Sequence, residues 1–355
     1  MEILSVRGVL PEHRYAQKEI TDAFVEVVTT GRSVDERLLH RFHANAGVRH
    51  RHLALPLDAY AAIRDFGESN DLFIEAAVRL GAQAVLEALD AAGLEPRDVD
   101  LLVSTTVTGL AVPSLDARIA ALIGLRQDVK RVPLVGLGCV AGAAGISRLA
   151  DYLVGHPGEI AVLVSAEMCS LTVQRDDTSL ANMVGSGLFG DGAAAVVARG
   201  SVGTGGVEVL DTSSRLYPDS ERTMGWDVTS SGLRIVLDAN VPEVVSTYIR
   251  GDVDAFLAKH ALTRADIEWW VCHPGGPKVL EAMQESLEVP YEALELTWDS
   301  LARIGNLSSA SVLHVLEDTL RDRPPRPGSW GMILAMGPGF CSELVLVRAP
   351  AEATS

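Results

Sequence analysis

Apolar runs of strand length alternate with segments of helical period along the whole chain, which predicts an α/β fold. Strands are expected at 99–105 (VDLLVST), 131–136 (RVPLVG), 160–166 (IAVLVSA), 193–198 (AAAVVA), 267–272 (IEWWVC), 330–336 (WGMILAM) and 343–348 (ELVLVR). Their continuous rather than alternating apolar character places them at the centre of a sheet covered on both faces. Helices are expected at 73–92, 115–123, 140–154, 243–260 and 308–321.

The same pattern contains a faint internal repeat. LDAAGLEPRDVDLLVSTT (89–106) parallels LAKHALTRADIEWWVCHP (257–274), GCVAGAAGISRLADYL (138–153) parallels GNLSSASVLHVLEDTL (305–320), and GEIAVLVSA (158–166) parallels GSWGMILAM (328–336). The matches keep their order at a nearly constant offset. Either one β/α half is used twice, or amphipathic α/β segments resemble each other by chance. Under duplication, residues 1–205 form one half, with the candidate nucleophile Cys139, and residues 206–355 the other, with His273 and Asn306. Corresponding helix starts hold Cys139 and Asn306, and the strand at 267–272 delivers His273 at its C-terminal end, where α/β sheets place ligands.

Composition narrows the choices. Only 5% of the residues are aromatic, so Ala, Val, Leu and Ile must build the core. Forty-seven acidic against thirty basic residues give a net charge of -17, which disfavours nucleic acid as a partner and requires a local basic patch for any anionic substrate. The four cysteines are too scattered for a disulfide framework, and neither C-x-x-C nor H-E-x-x-H occurs, so no metal is expected. The N-terminus lacks the apolar run of a signal peptide. Apolar segments are interrupted before the roughly 18 residues a membrane span needs. A cytoplasmic location with reduced thiols is the expectation.

Cys139 follows a Gly136-Leu137-Gly138 turn and opens a helix rich in small residues. A thiol there feels the positive end of the helix dipole, and a nearby imidazole would make it a Cys–His nucleophile. The alternative is a buried structural cysteine. The spacing Gly136-x-Gly138-x-x-x-Gly142 departs from a dinucleotide fingerprint, which weakens an oxidoreductase reading. His273 leaves its strand into a rigid Pro-Gly-Gly-Pro loop. Asn306 is either an N-cap or a donor to a developing oxyanion.

The segments VGLGCVAGAAG (135–145), LFGDGAAA (188–195), WVCHPGGPK (270–278), GNLSSA (305–310) and GPGF (337–340), in this order, resemble the type III polyketide synthases of the chalcone synthase superfamily. The resemblance covers essentially the whole chain. It implies a duplicated thiolase fold in αβαβα layers, a homodimer, and acyl transfer from CoA thioesters without a cofactor. It implies Cys139 as the acyl carrier, completed by His273 and Asn306. The expected reaction is decarboxylative condensation of malonyl-CoA onto an acyl starter, followed by cyclisation.

By the same resemblance Phe189 and Ile235 fall on two gatekeeper positions, Ile235 replacing a phenylalanine. Trp226, Cys169, Thr172, Thr108 and Ser308 fall on cavity-lining positions, and Gly337, Pro338 and Gly339 on a loop shaping the cyclisation chamber. These departures from plant members point to an aliphatic acyl starter and a pyrone or resorcinol product. Arg41 matches one CoA-binding position, while Leu38 and Asn45 stand where lysines are expected. Arg49 and Arg51, with His50 and His52, are a candidate replacement patch. Depletion of basic residues leaves a carrier-protein-borne starter open beside an acyl-CoA. A ketoacyl-carrier-protein synthase III-like enzyme making a single condensation is the alternative, and a non-catalytic acyl-binding partner a third.

Overall fold

A computed structural model describes residues 1–29, 35–201, 203 and 205–351. In chain order its strands are β1 (Glu2–Val9), β2 (His13–Ala16), β3 (His50–Leu53), β4 (Leu101–Thr106), β5 (Lys130–Val135), β6 (Ile160–Met168) and β7 (Asp191–Arg199). They are followed by β8 (Val207–Leu216), β9 (Met224–Thr229), β10 (Gly232–Leu237), β11 (Ile267–Cys272), β12 (Trp330–Gly337) and β13 (Cys341–Arg348). Among the described residues, nine strands form one sheet in the order β11-β12-β13-β8-β1-β7-β6-β4-β5, while β2 pairs with β3 and β9 with β10.

That order has two matching arms. β4 is parallel to β6, β6 antiparallel to β7, and β7 antiparallel to β1. On the other side β11 is parallel to β12, β12 antiparallel to β13, and β13 antiparallel to β8. β1 and β8 join the arms through the pairs Glu2–Glu208 and Ile3–Val207. The repeated sequence segments occupy equivalent places in the two arms, and β5 is an additional edge strand.

Side chains alternate between faces, and both faces are covered. Leu163, Ala335 and Val345 pack on one face with the central helices Ala141–Gly155 and Ser311–Asp322. On the other face Val162 and Val164 meet the helix Phe66–Ala91, and Leu334 and Leu346 meet the helices Val241–Ala258 and Pro277–Leu287. The two central helices therefore lie between layers, with their N-terminal ends at the seam of the arms.

Some expectations shift. The expected strand 131–136 is β5, but it is an edge rather than a central strand and is mostly exposed, in keeping with Lys130, Arg131 and Pro133 in its sequence. The helix expected from 73 begins at Phe66, where the Asp65 side chain accepts from the Glu68 amide at 3.0 Å. The helix expected over 308–321 runs Ser311–Asp322 behind a tight turn, Ser308–Ala310.

Candidate active site

Cys139 reaches its place through a turn that only glycine allows at low cost. Gly136 and Gly138 have φ of 95° and 55°, and a Cβ on Gly138 would stand 2.8 Å from the Pro338 ring. The chain then enters the helix Ala141–Gly155. A Cβ on Gly142 would lie 2.3 Å from the Ser309 carbonyl oxygen. The two helix starts thus meet backbone to backbone, and Cys139 Sγ comes 3.8 Å from Ser308 Oγ.

His273 follows β11, its amide donating to the Leu334 carbonyl at 2.8 Å, and its own carbonyl accepts from the Gly275 amide at 2.9 Å. Asn306 donates its amide to the Leu188 carbonyl and accepts from the Gly190 amide, each at 2.9 Å, which ties it to Phe189. Its Oδ1 accepts from the Ser308 amide at 2.8 Å and from Ser311 Oγ at 3.3 Å, while Nδ2 faces the Gly275 carbonyl at 3.5 Å. It does not cap the following helix. Cys139 is thus linked through Ser308 to Asn306, and Asn306 to the loop carrying His273. All three side chains are buried.

Burial sets the protonation. The Cys139 thiol is pushed up to about 12, against the pull of hydrogen bonds from Ser308 and Asn306. The His273 imidazole is pushed down to about 3, and neither ring nitrogen has a hydrogen-bond partner. Burial thus works against the thiolate that a helix start favours, while Ser308 and Asn306 work for it.

Sequence reasoning missed the carboxylate near Cys139. Glu167, at the end of β6, is buried and accepts from Thr106 Oγ1 (3.1 Å), the Val107 amide (3.0 Å), Thr108 Oγ1 (2.8 Å) and Ser309 Oγ (2.5 Å). Burial still raises its pKa, and its charge raises that of Cys139. A lone acid closing the apolar run IAVLVSA was the available signal.

A cavity of about 380 Å³ is lined by Thr108, Cys169, Thr172, Phe189, Trp226 and Ile235. Trp226 and Ile235 face each other across the β9–β10 pair. Ser308 stands instead at the thiol, and Gly337 and Pro338 back the Cys139 turn, where a Cβ on Gly337 would touch the Val140 amide at 2.6 Å. Gly339, with φ of 130°, adjoins Leu216 and Cys341. These four, like Cys139, His273 and Asn306, are not among the described residues lining that cavity.

Arg41 is exposed on the helix Glu36–Ala44, and Arg49, also exposed, faces Asp299 at 3.5 Å. Arg51 is not part of a surface patch with them. It is only 3% exposed, because the alternation of β3 turns it inward with Leu53. Its Nη1 donates to the Phe189 carbonyl at 2.8 Å and its Nε to Gln17 Oε1 at 3.1 Å, so this cation supports the Phe189 segment. Among the described residues no cluster of three or more His, Cys, Asp or Glu is placed to hold a metal, and no helix is long and apolar enough to cross a membrane.

The family description for chalcone and stilbene synthases matches this chain twice, the N-terminal domain over residues 1–202 and the C-terminal domain over 208–350. A 1,3,6,8-tetrahydroxynaphthalene synthase of Streptomyces peucetius subsp. caesius is 54% identical over 350 residues, covering 98% of this chain and 92% of that protein. A 3,5-dihydroxyphenylacetyl-CoA synthase of Streptomyces toyocaensis is 32% identical over 98% of this chain and 89% of its own length. The crystal structure of 1,3,6,8-tetrahydroxynaphthalene synthase from Streptomyces coelicolor A3(2), a bacterial type III polyketide synthase, superposes with a TM-score of 0.93 at 29% identity. It covers 99% of this chain and all of that one.

Proposed function

The chain belongs to the chalcone and stilbene synthase family, and on that premise we propose that it makes 1,3,6,8-tetrahydroxynaphthalene, or a close relative, from malonyl-CoA alone. Type III polyketide synthases are acyltransferases that condense malonyl-CoA, work on CoA thioesters and need no cofactor. The observation carrying the finer reading is the 54% identity, over 98% of the chain, to a synthase of that naphthalene. Each decarboxylative condensation adds two carbons, so an unsubstituted naphthalene skeleton leaves no carbon for a fatty starter.

Cys139 carries the growing chain. Its thiol proton passes to His273 as sulfur attacks the incoming thioester, and the C–S bond to CoA breaks. Asn306 Nδ2 and a ring N–H of His273 then donate to the thioester oxygen of malonyl-CoA. The electron pair released with CO2 is held there as an enolate. The enolate carbon attacks the acyl–Cys139 carbonyl, forming C–C and breaking C–S, so that sulfur is free for reloading. Phe189 and Ile235 separate the thiol from the CoA side, where Arg41 meets the nucleotide. Trp226, Cys169, Thr172 and Thr108 shape the product cavity, Ser308 adjoins the thiol, and Gly337-Pro338-Gly339 support the chamber. The volume of about 380 Å³ is at the small end for ligand pockets, as suits a compact aromatic product.

A second reading is an aliphatic acyl starter, delivered by CoA or a carrier protein and ending as a pyrone or resorcinol. It is favoured by the apolar wall of Ile20, Phe24, Ile63 and Phe66 in the same cavity. Incubation with uniformly labelled malonyl-CoA, alone and with unlabelled acyl-CoA and acyl-carrier-protein panels, separates the two. A fully labelled ten-carbon phenol from malonyl-CoA alone is expected. Product only with an added starter, carrying an unlabelled chain, transfers the assignment to the second reading. No product in any mixture overturns both.

A further inference from the structure

The amide of Asn306 serves the reaction only in one of its two orientations, with nitrogen toward the thioester oxygen. Two donors converge on its Oδ1. One is the Ser308 amide at 2.8 Å, and the other is Ser311 Oγ at 3.3 Å. The Ser311 oxygen already accepts from the Leu307 amide at 2.6 Å, so its hydroxyl hydrogen is directed away from that amide and toward Oδ1. A flipped Asn306 would turn its NH2 toward the Ser308 amide, a fixed donor, and would lose the hydrogen bond that the Ser311 hydroxyl donates to Oδ1. Ser311 is fully buried at the first turn of the helix Ser311–Asp322, and no water-exposed rotamer competes for its hydroxyl.

We propose that Ser311 is a positioning residue that locks the Asn306 amide with Nδ2 toward the reacting carbonyl. It touches no substrate and acts through Asn306 alone. Among the described residues it is the only side chain donating to Oδ1; the other donor is backbone and survives any substitution. The inference rests on the reading that Asn306 donates to the malonyl thioester oxygen.

The test uses the purified full-length enzyme and malonyl-CoA decarboxylation, followed as CO2 release. Ser311→Ala is expected to lower kcat about fivefold, the usual worth of one neutral hydrogen bond, with KM within about twofold. The loss should vanish in an Asn306→Ala background, because the two residues act as one unit. Alkylation of Cys139 by iodoacetamide should stay within about twofold, whereas a general distortion of the helix start would slow it together with kcat. Ser311→Cys, of similar shape and a weaker donor, should fall between wild type and Ser311→Ala, and carries the test if the alanine variant does not fold. An equal loss in the Asn306→Ala background overturns the proposal. So does a parallel fall in alkylation, or an unchanged kcat where Asn306→Ala is impaired. A wild type that releases no CO2 overturns the functional reading instead, and the inference falls with it.

Discussion

Burial raises the pKa of the Cys139 thiol and lowers that of the His273 imidazole, so each resists the charge that an ion pair would need. On the proposed mechanism a proton moves from the Cys139 sulfur to His273, and the attraction of the two charges so formed offsets the burial that opposes each alone. Cys139→Ala should therefore abolish acyl-enzyme adducts in intact mass spectra while the melting temperature stays within a few degrees of wild type. Adducts that persist and map to Cys169 would reassign the nucleophile. Burial acts on stability too. His314 is held neutral at about 4, its Nε2 against the Ala193 carbonyl at 3.1 Å. Its folded pKa lies below the unfolded 6.5, so its contribution is present above 6.5 and is lost as pH falls toward 4, at about 1.4 kcal/mol per pH unit. His314→Gln keeps a donor for that carbonyl, and its melting temperature should drop less than that of wild type between pH 7.5 and 5. Parallel curves would remove His314 from the acid response. The meeting of Cys139, Asn306 and the loop carrying His273 was legible in the chain because glycines, prolines and apolar strands frame them. The direction of the Cys139 and His273 shifts was not, since burial depends on how completely distant segments exclude water.

At the scale of elements, the site is set by how closely two helix starts approach. Gly142→Ala would drive a Cβ to 2.3 Å from the Ser309 carbonyl oxygen, a backbone atom that cannot rotate away. We expect a loss of about 2 kcal/mol or more in stability, and a fall in kcat as Ser308 and Asn306 are displaced from Cys139. Gly155→Ala, on the same helix with nothing within 4 Å of its Cβ, should be neutral or slightly stabilising. Denaturant melts and decarboxylation rates of the pair decide; matching behaviour would mean that the close approach does not matter. Elements with unbroken apolar runs were readable from the sequence. β8 was not: Asp211, Thr212, Ser213 and Ser214 give it a loop-like sequence, although it pairs along β13 and meets β1. Arg51 misleads in the same way. Arg-His-Arg-His resembles a basic patch, and only the pairing of β3 with β2 reveals which of the four point inward.

At the scale of the whole molecule, β5 breaks the match between the two arms, and it breaks it where apolar side chains remain uncovered. Val135 on β5 is 60% exposed, Leu122 on the helix Leu115–Ile123 is 62% exposed, and Val112 in the loop before that helix is 96% exposed. Pro133 and the flanking Lys130 and Arg131 discourage another strand from extending the sheet. The uncovered groups are therefore suited to side-chain packing rather than strand addition. A molecule of net charge -17 resists indiscriminate association, and a second copy, presenting the same surface, is a partner that would cover these groups. Light scattering after size exclusion should give twice the chain mass for wild type. Val112→Asp combined with Val135→Asp should give the single mass, with the circular dichroism of the folded protein retained. A monomeric wild type would remove a second copy as the partner, and a double variant that remains paired would place the contact on another face.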